Sequence, residues 1–296
     1  MINNKPTVAI LMATYNGEKY IEEQIISIKN QVSCEVSFLI SDDGSKDKTI
    51  DVIKKIKDTL NINLEIIKNN LKSGFGNNFY NLFYSADVNN YDYIALADQD
   101  DIFFNNKFSI SIDKLNSNNA VGISSAVKCF GSSSRILYQS TKITKYDFLF
   151  EGAGQGNTFV MSKNFFKEFQ SFIKNNKQHV LNFYFHDWLL YLFCRSKNYN
   201  WVFCNKPLTH YRIHSDNVVG DKYSLNGIYL RLKKITNGWY LNEIYKANSI
   251  SRLINPDIVN LKKLNFYSLY KLIVLNGRRK ITDRVLLLIT FILANK

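Results

Sequence analysis

Tyr93-Ile94-Ala95-Leu96-Ala97-Asp98-Gln99-Asp100-Asp101 decides how this chain is read. A short apolar run runs directly into three carboxylates within four residues. A strand covered on both faces reads as such a continuous run, which is the mark of a parallel sheet between helices. Crowded carboxylates repel one another unless a cation is shared. Two aspartates one residue apart can direct oxygens at one hard divalent ion that also takes phosphate oxygens. Asp98-Gln99-Asp100 therefore predicts a metal–diphosphate site at a strand's carboxyl end.

The chain upstream repeats the same theme. Val8 to Ala13 and Val36 to Ile40 are short apolar runs, and Leu64 to Ile67 is a third. Between them lie helical patterns: Ile21, Ile25 and Ile28, with Glu18, Glu22 and Glu23 near the amino end, then Ile50, Ile53, Ile56 and Leu60. Phe79, Leu82, Phe83 and Ala86 mark another helix before Tyr93. This alternation predicts an α/β fold, a mostly parallel central sheet with helices on both faces. After Asp101 the pattern loosens. A glycine-containing stretch from Glu151 to Asn157, a helix near Asp187 to Arg195, a short strand pair around Trp201 to His210 and basic helices are expected.

With 296 residues, 46% hydrophobic and 21% charged, the composition excludes a disordered or fibrous chain. Four scattered cysteines with no CxxC pair argue against a disulfide framework or structural zinc and fit a reducing cytoplasm. No signal peptide is read at the start, and the longest apolar stretch, Val285 to Ala294, is too short to span a bilayer. The net charge of +13 is unevenly spread: residues 1–220 carry +3 and residues 221–296 carry +10. The tail interleaves Lys271, Arg278, Arg279, Lys280 and Arg284 with Tyr267, Leu269, Tyr270, Leu272, Ile273 and Val274. Two readings stay open for it: a peripheral surface for an anionic membrane, or helices packed on the domain with their charges solvated.

In open α/β sheets, ligands bind beyond the carboxyl ends of the strands. Three polar clusters fall there: Thr14-Tyr15-Asn16-Gly17, Asp42-Asp43-Gly44-Ser45 and Asp98-Gln99-Asp100-Asp101. Each alone is also what a plain turn looks like. Taken in order, they resemble the donor half of family 2 glycosyltransferases with the GT-A fold. Gly74 and Asn78, within Lys72 to Phe79, are similar to that family's Gly-x-x-x-Asn-Phe segment. His186-Asp187-Trp188 resembles its acceptor-side motif, and Tyr211 to Gly220 resembles a closing motif of bacterial rhamnosyltransferase-like members. The likeness implies a GT-A domain over residues 1–220; residues 221–296 carry no such resemblance and read, from charge and patterning, as a basic, mostly helical region.

The resemblance implies roles residue by residue. Thr14, Tyr15 and Asn16 line the nucleotide pocket, with Tyr15 stacked on a pyrimidine, and Asp42 accepts hydrogen bonds from the base. Asp98 contacts the ribose or supports the metal, and Asp100 coordinates Mn²⁺ or Mg²⁺. Asp187 is the general base, and Arg212 and His214 approach the diphosphate or the metal. Asp216 departs from the family pattern. The implied reaction is inverting transfer from a nucleotide-sugar donor, dTDP-L-rhamnose before a UDP-hexose, to a glycan or lipid-linked acceptor. The chemistry agrees: a cation offsets charge growing on the leaving diphosphate, and a weakly acidic hydroxyl needs a carboxylate to take its proton. Judged from the residues alone, Asp187 also suits a plain helix cap.

Three other functions compete with this reading. A basic nucleic-acid binder fits the overall charge, but the acidic loops of a nearly neutral motif half would repel a phosphodiester backbone. A nucleotidyltransferase would carry a Gly-rich, Arg-containing loop after the first strand, where this chain has Thr14-Tyr15-Asn16-Gly17. An inactive scaffold has no need of Asp98, Asp100 and Asp187.

Overall fold

The computed structural model describes residues 5–131, 134–139, 142–214 and 237–294. The stretch 215–220 of the closing motif, with Asp216, lies outside them. Two compact units form. The first gathers Met1–Gln139, Gly154–Lys177 and Asn200–Arg212, and the second Ser140–Ala153, Gln178–Tyr199 and Ile213–Lys296.

The first unit is built on one sheet. Strands β1 (Thr7–Thr14), β2 (Glu35–Asp42), β3 (Leu64–Ile67) and β4 (Tyr93–Asp98) alternate with helices α1 (Ile21–Lys29), α2 (Thr49–Leu60) and α3 (Phe75–Ser85). There follow β5 (Ile102–Phe103), α4 (Lys107–Ser117), β6 (Gly122–Gly131), β7 (Ile136–Leu137), β8 (Val160–Ser162), α5 (Lys163–Asn175) and β9 (Trp201–Ile213). The sheet order is β3-β2-β1-β4-β8-β6-β9-β5, with β7 paired to β6. The first four strands are parallel, whereas β8 runs antiparallel to β4 and β6, and β5 antiparallel to β9. The parallel half is thus the expected one. The strand pair expected around Trp201 to His210 is instead a single 13-residue strand.

Residues pointing to one face of β1, β2 and β4 (Val8, Ile10, Met12, Phe38, Ile40, Ala95) pack with Ile25, Ile53 and Phe108 from α1, α2 and α4. The opposite face meets α3 and α5, where the rings of Phe83 and Phe169 lie 5.5 Å apart, edge to face. Both faces are therefore dry, which is why Val8 to Ala13 carry no polar side chain. Each fully buried Val, Ile, Leu, Met or Phe here contributes about 1.5–3 kcal/mol.

The second unit is helical. It holds α7 (His186–Ser196), α8 (Trp239–Ile254), α9 (Phe266–Asn276) and α10 (Ile281–Ala294), preceded by the short α6 (Lys177–Val180). No helix among the described residues is long and apolar enough to cross a membrane.

Candidate active site

Parallel pairing in register sets Thr14 beside Asp42 and Ala13 beside Asp98, so three loops leave the sheet side by side. The Thr14 hydroxyl donates to Asp42 Oδ2 (2.8 Å). Asp42 also accepts from Gly44 N (3.0 Å), Ser45 N (2.8 Å) and Ser45 Oγ (2.6 Å). A carboxylate offers about four lone-pair directions, so Asp42 is committed to shaping its own loop. A nucleobase would compete with donors already in place.

The Tyr15 loop is held by Gln99, the middle residue of the acidic motif. Its Oε1 accepts from Tyr15 N and its Nε2 donates to Tyr15 O, both at 2.9 Å. The carboxamide fills the space beside Gly17, where a Cβ would come within 2.3 Å of Gln99 Oε1. Asn16 adopts φ 46°, a left-handed conformation that asparagine tolerates. It receives Lys46 N on its Oδ1 and gives its own N–H to Ser45 Oγ. With its backbone fixed at both ends, Tyr15 leaves its side chain 49% exposed.

Gly74 and Asn78 also belong to this scaffold. Asn78 is buried on α3, and its Nδ2 donates to Thr14 O (3.1 Å) and Ser41 O (2.9 Å), tying β1 to β2. Gly74 sits at φ 141°, a conformation glycine favours, and gives its N–H to Asp43 Oδ2.

The three carboxylates divide. Asp101 is fully buried and accepts from Arg212 N (3.0 Å) and from the Asn157 side chain. Burial, then the charge of Asp100, pushes its carboxyl up to about 7. Lys107, also fully buried, donates to Asn157 O and Thr209 Oγ1 and sits 3.2 Å from the Phe103 ring centroid. Desolvation holds its ammonium well below the usual lysine range, opposed by Asp101 and Asp98. Asp98 and Asp100 stay half-buried at the loop. Arg212 lies between the Tyr20 and Phe130 rings, 4.4 Å from each centroid. Its Nε donates to Asp100 O (2.8 Å) and an Nη to Glu23 (2.5 Å), so it clamps the acidic loop in place.

Among the described residues no group of three or more His, Cys, Asp or Glu side chains is arranged to hold a metal ion. A pair of hard carboxylates, with the intervening Gln99 turned to the Tyr15 backbone, fits a divalent ion that takes its remaining ligands from phosphate and water. It does not fit an ion caged wholly by protein.

In the second unit Asp187 is the second residue of α7 and half-buried, within the first turn rather than at the cap. Its Oδ1 accepts from Trp188 N (2.7 Å). Beneath it, His186 is held neutral by burial, its pKa pushed down to about 3. Asp147, fully buried, accepts from Tyr191 Oη (2.7 Å), Arg195 (2.9 Å) and Arg279 (3.0 Å), anchoring α7 from behind. His214 lies half-buried at the start of the segment that follows β9.

The holding roles of Gln99, Lys107, Asn157 and Glu23 escaped the sequence, which shows Gln99 only within the acidic cluster, Glu23 only near a helix start and Asn157 only at the end of a glycine-containing stretch.

An α/β sheet whose parallel strands end in acidic loops is the architecture of a GT-A glycosyltransferase fold. The sequence profile of Glycosyl transferase family 2 matches residues 9–189, and the chain belongs to that family. It is 38% identical over 294 residues to the dTDP-rhamnosyl transferase RfbG of Shigella flexneri, covering 95% of this chain and 99% of that one. It is 23% identical to the UDP-Glc:alpha-D-GlcNAc-diphosphoundecaprenol beta-1,3-glucosyltransferase WfgD of Escherichia coli, over 88% of this chain and 95% of that one. Among solved structures, the mannosyltransferase PcManGT of Pyrobaculum calidifontis, in complex with GDP-Man and Mn²⁺, shares the fold. Its TM-score is 0.56 at 11% identity, covering 99% of this chain and 82% of that one.

Proposed function

We propose that this glycosyltransferase moves a sugar from dTDP-L-rhamnose to a hydroxyl of a bacterial surface polysaccharide or lipid-linked glycan, with inversion. The observation that carries the reading is the Gln99 bridge, which fixes the exposed Tyr15 beside the Asp98 and Asp100 loop. The likeness to a dTDP-rhamnosyl transferase supports the donor. A UDP-hexose is the second reading, favoured by the likeness to a glucosyltransferase named for UDP-Glc. The enzyme works in the cytoplasm, peripheral at the inner face of the membrane, with no nucleic-acid partner.

Tyr15 stacks on the pyrimidine, and Thr14 and Asn16 line the pocket that Asp42, Gly74 and Asn78 shape from behind. Asp98 and Asp100 would hold Mn²⁺ or Mg²⁺, whose remaining ligands would come from phosphate and water. Bound there, the ion would offset charge growing on the diphosphate. Arg212 keeps the Asp100 backbone in place. The acceptor oxygen bonds to the anomeric carbon as the bond from that carbon to the diphosphate oxygen breaks. The hydroxyl proton passes to the Asp187 carboxylate, and the nucleotide diphosphate leaves.

A panel of nucleotide sugars assayed with and without Mn²⁺ tests this. Turnover should be highest with dTDP-L-rhamnose. Asp187→Asn should lower kcat by about 10²–10⁴-fold while dTDP binding is kept. Asp100→Ala should remove the response to Mn²⁺. Equal turnover in wild type and Asp187→Asn would refute the base, and no turnover with any donor would refute the function.

A further inference from the structure

Helices α9 and α10 pack on each other, yet each leaves large apolar side chains in solvent. On α9, Leu269, Leu272 and Ile273 face inward, while Phe266 (66%), Tyr267 (72%) and Tyr270 are exposed. On α10, Leu287 and Phe291 are buried, while Ile281 (74%), Val285 and Ile289 recur along an outward stripe. Isolated exposed apolar residues need no explanation, but a run of them on two neighbouring helices marks an interaction surface.

Charge and length identify the occupant. Lys271 on α9, Lys280 just before α10, and Lys262 and Lys263 in the turn that precedes α9 are exposed, and the one acidic residue of the stretch 261–294, Asp283, is half-buried. With 14 residues, α10 is about 21 Å long, against a hydrocarbon core of about 30 Å, so it cannot span. Aromatic and aliphatic side chains beside lysines suit the plane between acyl chains and anionic headgroups.

The surface is also fixed to the acceptor-side helix. Between α9 and α10, Arg278 donates to Phe150 O (3.2 Å), while Arg279 gives its N–H to Glu151 (2.6 Å) and its guanidinium to Gly152 O (2.6 Å). Gly152 lies against Trp188, where a Cβ would sit 3.2 Å from Trp188 Cα. The hairpin is thus locked to the segment that flanks Asp187.

We infer that the outward face of α9 and α10 is a docking surface for an anionic phospholipid bilayer, lying in its plane. This deepens the proposed function, since it sets Asp187 on a membrane-fixed unit, but its test involves no turnover. Sedimentation of the full chain with phosphatidylcholine vesicles, with and without phosphatidylglycerol, reads it directly. Wild type should sediment only with the phosphatidylglycerol vesicles, and less at high salt. Tyr267→Ser, Ile281→Ser and Val285→Ser together should lower the partition coefficient by at least about tenfold. Lys271→Gln with Lys280→Gln should lower it by roughly fivefold per lysine while leaving the apolar face intact. Unchanged circular dichroism and dTDP binding in both variants separate loss of docking from loss of fold. Wild type that ignores anionic vesicles overturns the inference. So does self-association in solution that the triple variant abolishes without any vesicle binding, which would assign the face to a second copy of this chain.

Discussion

If the Gln99 carboxamide holds the Tyr15 loop, its loss and a methyl group at Gly17 should be one perturbation made twice. Gln99→Ala removes two hydrogen bonds of 2.9 Å to the Tyr15 backbone. Each contributes about 0.5–1.5 kcal/mol, and on a partly exposed loop the pair is worth about 1–2 kcal/mol. Donor binding must then reorder the loop, so dTDP affinity should fall about 5–30-fold. Gly17 lies outside the left-handed region, so its backbone accepts alanine, but the new Cβ would lie 2.3 Å from Gln99 Oε1 and 2.6 Å from its Cδ. The flexible amide end must swing away and lose the same two bonds. Gly17→Ala should therefore cost about as much as Gln99→Ala, and the double variant no more than either. Calorimetric titration of dTDP with Mn²⁺ into the four proteins reads the cycle as a coupling energy of about 1–2 kcal/mol. Additive losses, or single variants that bind within twofold of wild type, would refute the bridge as the loop's support.

Other perturbations test other parts. Tyr15→Ala should weaken dTDP binding by about 1–3 kcal/mol while Tyr15→Phe restores it, because a stacked ring and not the hydroxyl is needed; titration of the two variants checks this. Asp147→Ala leaves Arg195 and Arg279 without their shared buried carboxylate, and should cost about 3–5 kcal/mol in urea unfolding. His186 stays neutral in the folded protein down to pH about 3, whereas unfolded histidine protonates below about 6.5. The unfolded state therefore binds the extra proton, and this contribution to stability is lost as pH falls, by about 2–3 kcal/mol between pH 6.5 and 4.5. Asp101 works the other way: its raised carboxyl costs stability above the unfolded pKa, and protonation near pH 7 relieves it. The His186 share is thus read as the difference between wild type and His186→Gln across that window, and parallel curves would refute it.

The parallel half of the sheet was legible because strands covered on both faces leave no room for polar side chains. Val8 to Ala13 and Tyr93 to Ala97 could hardly be read otherwise. Strand β9 was not, since Asn205-Lys206-Pro207 carries the composition of a turn. Tertiary pairing keeps it extended, with Asn205 and Lys206 facing solvent. In the site, the loops announced themselves through carboxylates at strand ends. What holds them did not, because those contacts are remote in sequence. Gln99 reaches Tyr15 across 84 positions, Lys107 reaches Asn157 across 50 and Arg212 reaches Glu23 across 189. No local pattern encodes such pairs.

The same distinction explains how one short acidic run does two jobs. From sequence, Asp98, Asp100 and Asp101 are equivalent carboxylates that need a cation to coexist. The fold makes them unequal by burying one. Asp101 is turned inward onto the Arg212 amide, the Asn157 side chain and the neighbourhood of the buried Lys107, so its oxygens anchor β9 and the 157 turn beneath the loop. Its raised pKa reports how costly that buried charge is, with Asp100 close by as the second cause. A buried carboxylate with fixed donors makes the loop rigid from below, and Arg212, gripping the Asp100 carbonyl between two aromatic rings, makes it rigid from the side. Asp98 and Asp100 remain half-buried on a backbone held at both points. The proposed two-carboxylate site, completed by phosphate oxygens, would require this, because an ion with few protein ligands is positioned only as well as the loop that carries them.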